Sequence, residues 1–239
     1  MLLMKNWMET RWRFAFAVGV LAFFMVAGYM HSSDAPRPNP VPAEQRLPIT
    51  LSTFSLFSVM LSVTLAGAGV RTQAPFRAGK GQHGSTHFTL SLPVSRLRLL
   101  TMRSGIGALE LFAVVSLGVA CLALVLPRQF PELNFPALDT LRYAFTLYTC
   151  LMASFCISVV LATFLDDVWQ MWGSLLLIAA IRGASAAIKI PENFDPFRTV
   201  DSASPFITHT IPWGAVAVCL TFAAGLWLVA ARIVQTRDY

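Results

Sequence analysis

The chain has 239 residues, of which 56% are hydrophobic and only 13% are charged. Soluble domains carry about a quarter of charged residues, so twelve acidic and eighteen basic side chains are too few to give a core of this size a polar surface. A water-soluble fold is therefore excluded, and the 18 Phe and 6 Trp residues exclude a disordered chain.

Six apolar segments predict membrane-spanning helices. A helix needs roughly 20 apolar residues to cross a hydrocarbon core of about 30 Å. Segments of about this length occur at residues 14–30, 49–70, 104–126, 143–165, 169–188 and 211–231. We therefore expect an all-α polytopic membrane protein with six transmembrane helices in a single domain over residues 1–239.

The first segment, residues 14–30, has two interpretations. Basic residues precede it and small residues lie near Ala27, as in a signal peptide, but its apolar stretch is longer than the 7–15 residues usual there. We interpret it as a span, with a signal peptide as the alternative. The preceding residues predict a short amphipathic helix in the membrane interface, or else a basic anchor with interfacial tryptophans.

The basic residues are distributed unequally between alternate loops. If the N-terminus is cytoplasmic, eleven of the eighteen Lys and Arg residues lie on the cytoplasmic side, against four acids. This matches the positive-inside rule and predicts that both termini are cytoplasmic. The basic charge therefore reports topology and gives no reason to expect a nucleic-acid partner.

The loop at residues 71–103 has a pattern of its own. Gly79, Gly81 and Gly84 interrupt regular structure, and Ser85 or Thr86 then provides an N-cap. A short helix is predicted from there to Leu92, where Pro93 ends it. Ser95 is predicted to cap a second helix that continues into the third span, with its first arginines at the level of the lipid headgroups.

This loop carries a resemblance to a known family. The string GSTHFTLSLPVSRLRLL, followed by RSGIGALELF, resembles the cytoplasmic loop of type 2 ABC-transporter permeases, the six-helix exporter class. The positions that match are Gly84, Leu90, Ser91, Leu92, Pro93, Val94, Ser95 and Arg96. Ser85 and His87 depart from the family pattern, which has Thr and an acid there. The C-terminal AARIVQTRDY resembles the family's Arg-Asp-aromatic ending.

The resemblance implies a function as well as a fold. The chain is expected to be a permease subunit that exports a hydrophobic or amphipathic substrate, since its spans are rich in Phe, Leu, Ser and Thr. The residues expected to couple it to a cytoplasmic ATPase are Gly84, Ser85, Thr86, His87, Phe88, Leu90, Ser91, Leu92, Pro93, Val94, Ser95 and Arg96. The implied partners are two copies of that ATP-binding subunit and a second permease chain, identical or different, in the bacterial cytoplasmic (inner) membrane.

ATP hydrolysis is expected in the partner chain. A Walker A loop requires Gly-x-x-x-x-Gly-Lys-Ser/Thr, and the nearest string, APFRAGKG, has Ala74 and Gly81 at its first and last positions. We therefore expect ATP and Mg²⁺ in the ATPase, and no catalytic residue, cofactor or metal in this chain. Two alternatives are a non-transporting membrane anchor or assembly factor, and an intramembrane enzyme, for which no nucleophile or ligand motif is found.

Four charged residues near or inside the spans have alternative interpretations. Asp166 and Asp167 either cap the fifth helix or form a second cytoplasmic contact with a partner. Glu110 and Arg182 lie inside spans, where an ionisable group is a candidate for function. The alternatives are that Glu110 lies in the interface near Arg103 and that Arg182 reaches the membrane surface.

The remaining candidates have less distinctive patterns. His83 and His87 have helical i, i+4 spacing but no third ligand nearby, so they are interpreted as solvated. The four cysteines lie in apolar runs and are expected to be packing residues. The segment at residues 189–210 either forms a lid over an exit or covers helix ends.

Overall fold

The computed structural model describes residues 11–23, 26, 43–66, 95–131, 133–165, 167–201 and 204–236, with the backbone alone for 43–45, 96, 167, 192 and 204. These residues form α1 (residues 11–23), α2 (Ala43–Ala66), α3 (Arg96–Gln129), α4 (Ala137–Ala162) and α5 (Asp167–Ile188). A 3₁₀ helix (Glu192–Phe194), α6 (Pro196–Asp201), α7 (Ser204–Thr208) and α8 (Trp213–Thr236) follow. No strand occurs in these ranges.

Five of these helices, α2, α3, α4, α5 and α8, are long and apolar enough to cross a membrane. The predicted all-helical class is thereby confirmed for the described residues, and these five helices are candidate membrane spans. The first predicted span, residues 14–30, is described only at 14–23 and 26, so the total of six spans stays a prediction. The short interfacial helix before it and the short helix near Thr86 lie outside the described residues.

Helix α4 is the centre of the bundle. It packs against α2, α3, α5 and α8, and its residues Tyr143, Leu147, Leu151 and Phe155 are all at most 2% exposed. A spacing of four residues places these side chains on one helix face, and this face is the middle of the main apolar core.

Helices α3 and α4 begin earlier than uncharged runs predict, for two different reasons. α4 begins at Ala137 and includes Asp139 and Arg142, whose side chains pair with each other at 2.6 Å. α3 begins at Arg96 because the Ser95 hydroxyl caps it, accepting a hydrogen bond from the Arg98 N–H at 3.3 Å. The cap predicted at Ser95 is thus confirmed. A count of uncharged residues therefore misses those helix ends at which charged side chains are paired with each other or exposed to solvent.

Helix α2 contains many hydroxyl side chains, which bond to its own backbone. The hydroxyls of Ser58, Ser62 and Thr64 each donate to a carbonyl three or four residues earlier at 2.8 Å. Such bonds satisfy polar groups without a partner helix, and a Ser-rich segment therefore remains compatible with an apolar surrounding.

The two ends of the bundle differ. α2, α4 and α8 begin at one end, where α3 and α5 finish and where residues 189–201 and 204–212 lie; we call this the covered end. Contacts that define it include the Arg46 guanidinium over the Phe130 ring at 5.4 Å and the Asp139 carboxylate with His209 at 2.5 Å. At the opposite end, the Trp227 indole donates to the Ser104 hydroxyl at 3.4 Å.

Candidate ligand-binding cavity

A cavity of about 320 Å³ lies between helices of the bundle, next to the covered end. Its walls come from α2, α4, α5 and α8, and residues between Ile190 and Asp201 close it. The apolar lining residues are Leu56, Val59, Leu147, Leu151, Ala153, Ile157, Leu175, Ile178, Ala179, Ile181, Ile190, Phe194, Pro196, Phe197, Val200, Val218 and Phe222. Ligand pockets are typically about 300–1,000 Å³ with mainly apolar walls and a few polar groups, and this cavity fits that description.

The charged groups of the cavity form one cluster. The Arg182 guanidinium on α5 makes an ion pair and hydrogen bond with the Asp201 carboxylate at the end of α6. The other oxygen of Asp201 accepts a hydrogen bond from the Ser55 hydroxyl of α2 at 2.8 Å. This cluster joins α2, α5 and α6 across the cavity rim.

The position of Asp201 follows from the way α6 begins. The Asp195 carboxylate accepts hydrogen bonds from the N–H groups of Phe197 at 3.0 Å and Arg198 at 3.3 Å, which is N-cap geometry. Pro196 occupies the first helical position, where its missing N–H costs nothing. The helix that starts there presents Asp201 to Arg182 five residues after Pro196.

A second ionic contact anchors the covered end outside the cavity. Asp139, which is 2% exposed, pairs with Arg142 at 2.6 Å and with His209 at 2.5 Å. Phe206 of α7 packs beside it, with ring centroids 5.6 Å from Phe135 and 5.3 Å from Tyr143. Residues 190–201 are therefore attached through Asp201, and residues 204–212 through Phe206 and His209.

Two thiols face the cavity from neighbouring helices. Cys150 of α4 and Cys219 of α8 both line it, and the Cys150 thiol donates to the Pro196 carbonyl at 3.9 Å. Both are free thiols, as are Cys121 and Cys156. The cysteines were predicted to be packing residues, and Cys150 and Cys219 pack in the wall of the cavity.

A buried polar network lies further from the covered end. The Gln170 amide of α5 donates to the Ser158 hydroxyl of α4 and, at 3.5 Å, to the Val63 carbonyl of α2. The Ser174 hydroxyl lies 3.0 Å from the Ser158 hydroxyl. Gln170, Ser158 and Ser174 are at most 2% exposed, and hydrogen bonds between spanning helices of this kind hold them together where water is absent.

The residues expected to couple to an ATPase lie mostly outside the described ranges. Ser95 caps α3, and Arg96 is its first residue. Those outside are Gly84, Ser85, Thr86, His87, Phe88, Leu90, Ser91, Leu92, Pro93 and Val94, as are His83 and Asp166. Asp167 is the first residue of α5, and its side chain is not described, so the capping and partner-contact interpretations both stand.

The two intramembrane candidates are in different surroundings. Glu110 is 3% exposed, which places its carboxyl group among protein side chains. Arg182 belongs to the ion pair at the cavity rim, with its side chain 41% exposed. Of the predicted candidates, Arg182 is therefore the one that the structure brings to the cavity.

Sequence reasoning missed Asp201, Ser55 and the Gln170 network. The sequence contains a signal for Asp201. Asp195–Pro196 is a typical start of a helix, and Asp201 follows Pro196 by five residues. No local pattern singles out Ser55 or Gln170. Residues 189–210 were expected either to form a lid over an exit or to cover helix ends. The structure places residues 190–201 at the cavity and residues 204–209 on the end of α4.

Comparison with known proteins finds no family model, no curated protein and no solved structure that matches this chain.

Proposed function

We propose that the chain is the membrane-spanning permease subunit of an ATP-driven transporter, and that the cavity holds a hydrophobic or amphipathic substrate during transport. The observation that carries the proposal is an apolar cavity between four spanning helices, closed by a segment that one ion pair connects to α5. A membrane anchor has no need for a lined cavity with a separate cover.

Helix α3 supports the mechanical part of the proposal. It has 34 residues, or roughly 50 Å at 1.5 Å per residue, which is longer than a span requires. Its first turns, with Arg98 and Arg103, belong to the segment predicted as the loop at 71–103, so one continuous helix runs from that segment into the span. A continuous helix that packs on α4 transmits a displacement of this loop to the cavity wall as a rigid-body motion.

The partners and location belong to the same proposal. Two copies of a cytoplasmic ATPase bind the loop containing Gly84–Arg96, close on ATP and Mg²⁺, and move α3. A second permease chain completes the path, both termini are cytoplasmic, transport is outward, and the membrane is the bacterial cytoplasmic membrane. The support for these points is the resemblance of the loop sequence and the distribution of Lys and Arg.

The test is purification of the full-length protein in mild detergent from its own host membranes, followed by assay of bound ATPase activity. The wild-type chain is expected to retain a stoichiometric ATPase, and Leu92→Asp is expected to lose it. Thr210→Asp, an exposed change at the covered end, serves as the matched control and should keep it.

Two results would contradict the proposal. If no ATPase accompanies the wild-type chain, the anchor or assembly-factor alternative is favoured. If Leu92→Asp and Thr210→Asp retain the same ATPase and the same substrate stimulation of its activity, the loop does not couple the two subunits.

A further inference from the structure

We infer that α5 is the movable wall of the cavity, and that its contact with Ser158 and the Val63 carbonyl through Gln170 and Ser174 is a gate. This gate, the Gln170 network, closes the cavity towards the end of the bundle opposite the covered end. The inference deepens the proposed function, on which it rests for the direction of transport, by naming a route between the cavity and that end. As a statement about access to the cavity, it can be tested without an ATPase.

Helix α5 is the least buried of the candidate spanning helices. In an 18-residue apolar window of α5, 17% of the residues are buried, against 33–56% in the corresponding windows of the other four. None of its described residues belongs to the main apolar core, which includes residues of α2, α3, α4 and α8. A helix with few buried apolar contacts can move at a lower free-energy cost than the core elements.

Three sets of described contacts hold α5 against its neighbours. The first is the ion pair at the cavity rim, near the covered end. The second is a small apolar cluster of Ile178 with Val63 of α2 and Ile157 of α4, which is separate from the main core; we call it the apolar layer. The third is the Gln170 network, near the start of α5. The cavity lies between the first set and the other two.

The cavity ends where the apolar layer and the network begin. On α4 its last lining residue is Ile157, and Ser158 of the network follows directly. On α5 the lining begins at Leu175, and Ser174 of the network precedes it. Ile157 and Ile178 of the apolar layer themselves line the cavity. The network therefore lies next to the cavity, on the side away from the covered end.

The network also lies close to the opposite end of the bundle. Ser158 is four residues before the last residue of α4, Ala162, and Gln170 is three residues after the first residue of α5, Asp167. At 1.5 Å per residue these separations are roughly 4–6 Å, about one helical turn. Separation of α5 from α4 at the network would therefore connect the cavity with this end.

The contacts in the network are of a kind that water can replace. The Gln170 amide donates to the Ser158 hydroxyl and to the Val63 carbonyl, and the Ser174 and Ser158 hydroxyls lie 3.0 Å apart. When such groups separate in a wet opening, each regains its hydrogen bonds from water or from a polar substrate group. Separation of an apolar interface brings no such replacement. A layer of amide and hydroxyl groups is thus suited to open and close repeatedly.

The outer face of this part of α5 is open. Trp169 and Trp172, in the first two turns, are 69% and 55% exposed, so no described helix packs over them. The covered-end half of α5 is held by the ion pair with Asp201, which Ser55 also contacts at 2.8 Å. The movement that fits these contacts is a tilt in which the start of α5 moves outwards and its end stays attached.

The test measures how fast an impermeant thiol reagent reaches the cavity from the opposite end. Ser154→Cys places one thiol in the cavity wall of a full-length, otherwise cysteine-free protein in sealed membrane vesicles. Labelling of an exposed Gln235→Cys identifies the vesicles that present the opposite end to the reagent, a trimethylammonium methanethiosulfonate. Gln170→Ala should raise the labelling rate of Ser154→Cys by about tenfold. Ile178→Ala, which thins the apolar layer, should raise it as well.

Two controls separate opening of the gate from general loosening of the bundle. Leu111→Ala truncates a buried side chain of α3 in the main core and destabilises the bundle at least as much as Gln170→Ala does. It should leave the labelling rate of Ser154→Cys unchanged. Ala230→Cys places the thiol in the main core, six residues from the end of α8, and it should stay unlabelled when combined with Gln170→Ala.

The inference is overturned if Gln170→Ala leaves the labelling rate of Ser154→Cys unchanged, if Leu111→Ala raises this rate as much, or if Gln170→Ala makes Ala230→Cys react as fast as Ser154→Cys. Labelling as expected, without a co-purifying ATPase, would sustain the gate and contradict only the proposed function. An ATPase that depends on Leu92, together with labelling that Gln170→Ala does not change, would do the reverse.

Discussion

At the scale of single residues, some of the polar side chains buried in this bundle form hydrogen bonds between helices. Gln170 joins carbonyl and hydroxyl groups of two other helices, and Ser55 joins α2 to Asp201. In an apolar surrounding, a polar group that loses its partner cannot turn to water. A substitution at one of these positions is therefore expected to destabilise the bundle more than the small change in side-chain size would suggest.

We expect Gln170→Ala to destabilise the bundle. The change leaves the Val63 carbonyl and Ser158 hydroxyl without their amide donor, which costs about 1–2 kcal/mol. Thermal unfolding in a fixed detergent should show a lower Tm. Thr221→Ala, which removes an exposed hydroxyl bonded only to its own helix, should lie within about 0.5 kcal/mol of wild type. Equal Tm values for the two variants would mean that the network does not join the helices.

At the scale of helices and connections, the structure depends on two close approaches. A Cβ atom on Gly107 would lie 3.2 Å from the Leu65 carbonyl and 2.9 Å from the Phe155 ring, where α3 meets α2 and α4. A Cβ on Gly214 would lie only 2.5 Å from the Asn193 carbonyl oxygen. At the second approach the 3₁₀ helix packs on the first turn of α8. This contact is possible because Gly214 has no Cβ atom.

Gly214→Ala is expected to displace the 3₁₀ helix, because a backbone carbonyl cannot rotate away as a side chain can. Overpacking of this kind costs about 1–3 kcal/mol. Limited proteolysis at residues 189–212 should become faster and the Tm should fall. Gly225→Ala on the same helix meets nothing within 4 Å and should instead raise stability by up to about 1 kcal/mol. The same sign for both variants would contradict the described packing.

The thiols of Cys150 and Cys219 should cross-link across the α4–α8 interface. Both line the same cavity from two helices that pack together, and mild oxidation with copper phenanthroline should therefore give an intrachain disulfide. Mass spectrometry after alkylation should then find two fewer free thiols. Cys219→Ser should prevent the loss, and a wild-type protein that keeps all four thiols under these conditions would show that α4 and α8 pack in another register.

At the scale of the whole molecule, the two ends of the bundle differ. One end has residues 189–201 and 204–212 packed over it, and the other carries the start of α3. α5 packs mainly on α2 and α4 among the candidate spanning helices, and it leaves apolar residues such as Trp169, Trp172 and Leu176 exposed. Exposed apolar faces of this kind suit lipid contact.

The orientation of the bundle can be measured with single cysteines in a cysteine-free background. Thr210 at the covered end and Gln235 at the opposite end are both exposed. The excess of basic residues on the second side predicts that Thr210→Cys is labelled by an impermeant maleimide in intact cells. Gln235→Cys should be labelled only after permeabilisation, and the reverse pattern would invert the proposed topology.

The sequence by itself determines the class of fold, because composition and the lengths of apolar runs depend only on the chemistry of lipid and backbone. It also locates the start of α3 at Ser95, since an N-cap is a local hydrogen bond. Its errors are at helix ends such as the start of α4, where Asp139 and Arg142 satisfy each other and the helix continues through charges that a hydropathy pattern treats as a boundary.

Only the tertiary structure decides the cavity and its charged rim. Arg182 is conspicuous in the sequence, but its partner Asp201 is 19 residues away, and Ser55 is 146 residues from Asp201. Contacts over such separations depend on how four helices and a short cover pack together, and no local pattern encodes them. The chain's few charges thus predict its orientation from sequence, whereas the ion pair that closes the cavity follows from packing alone.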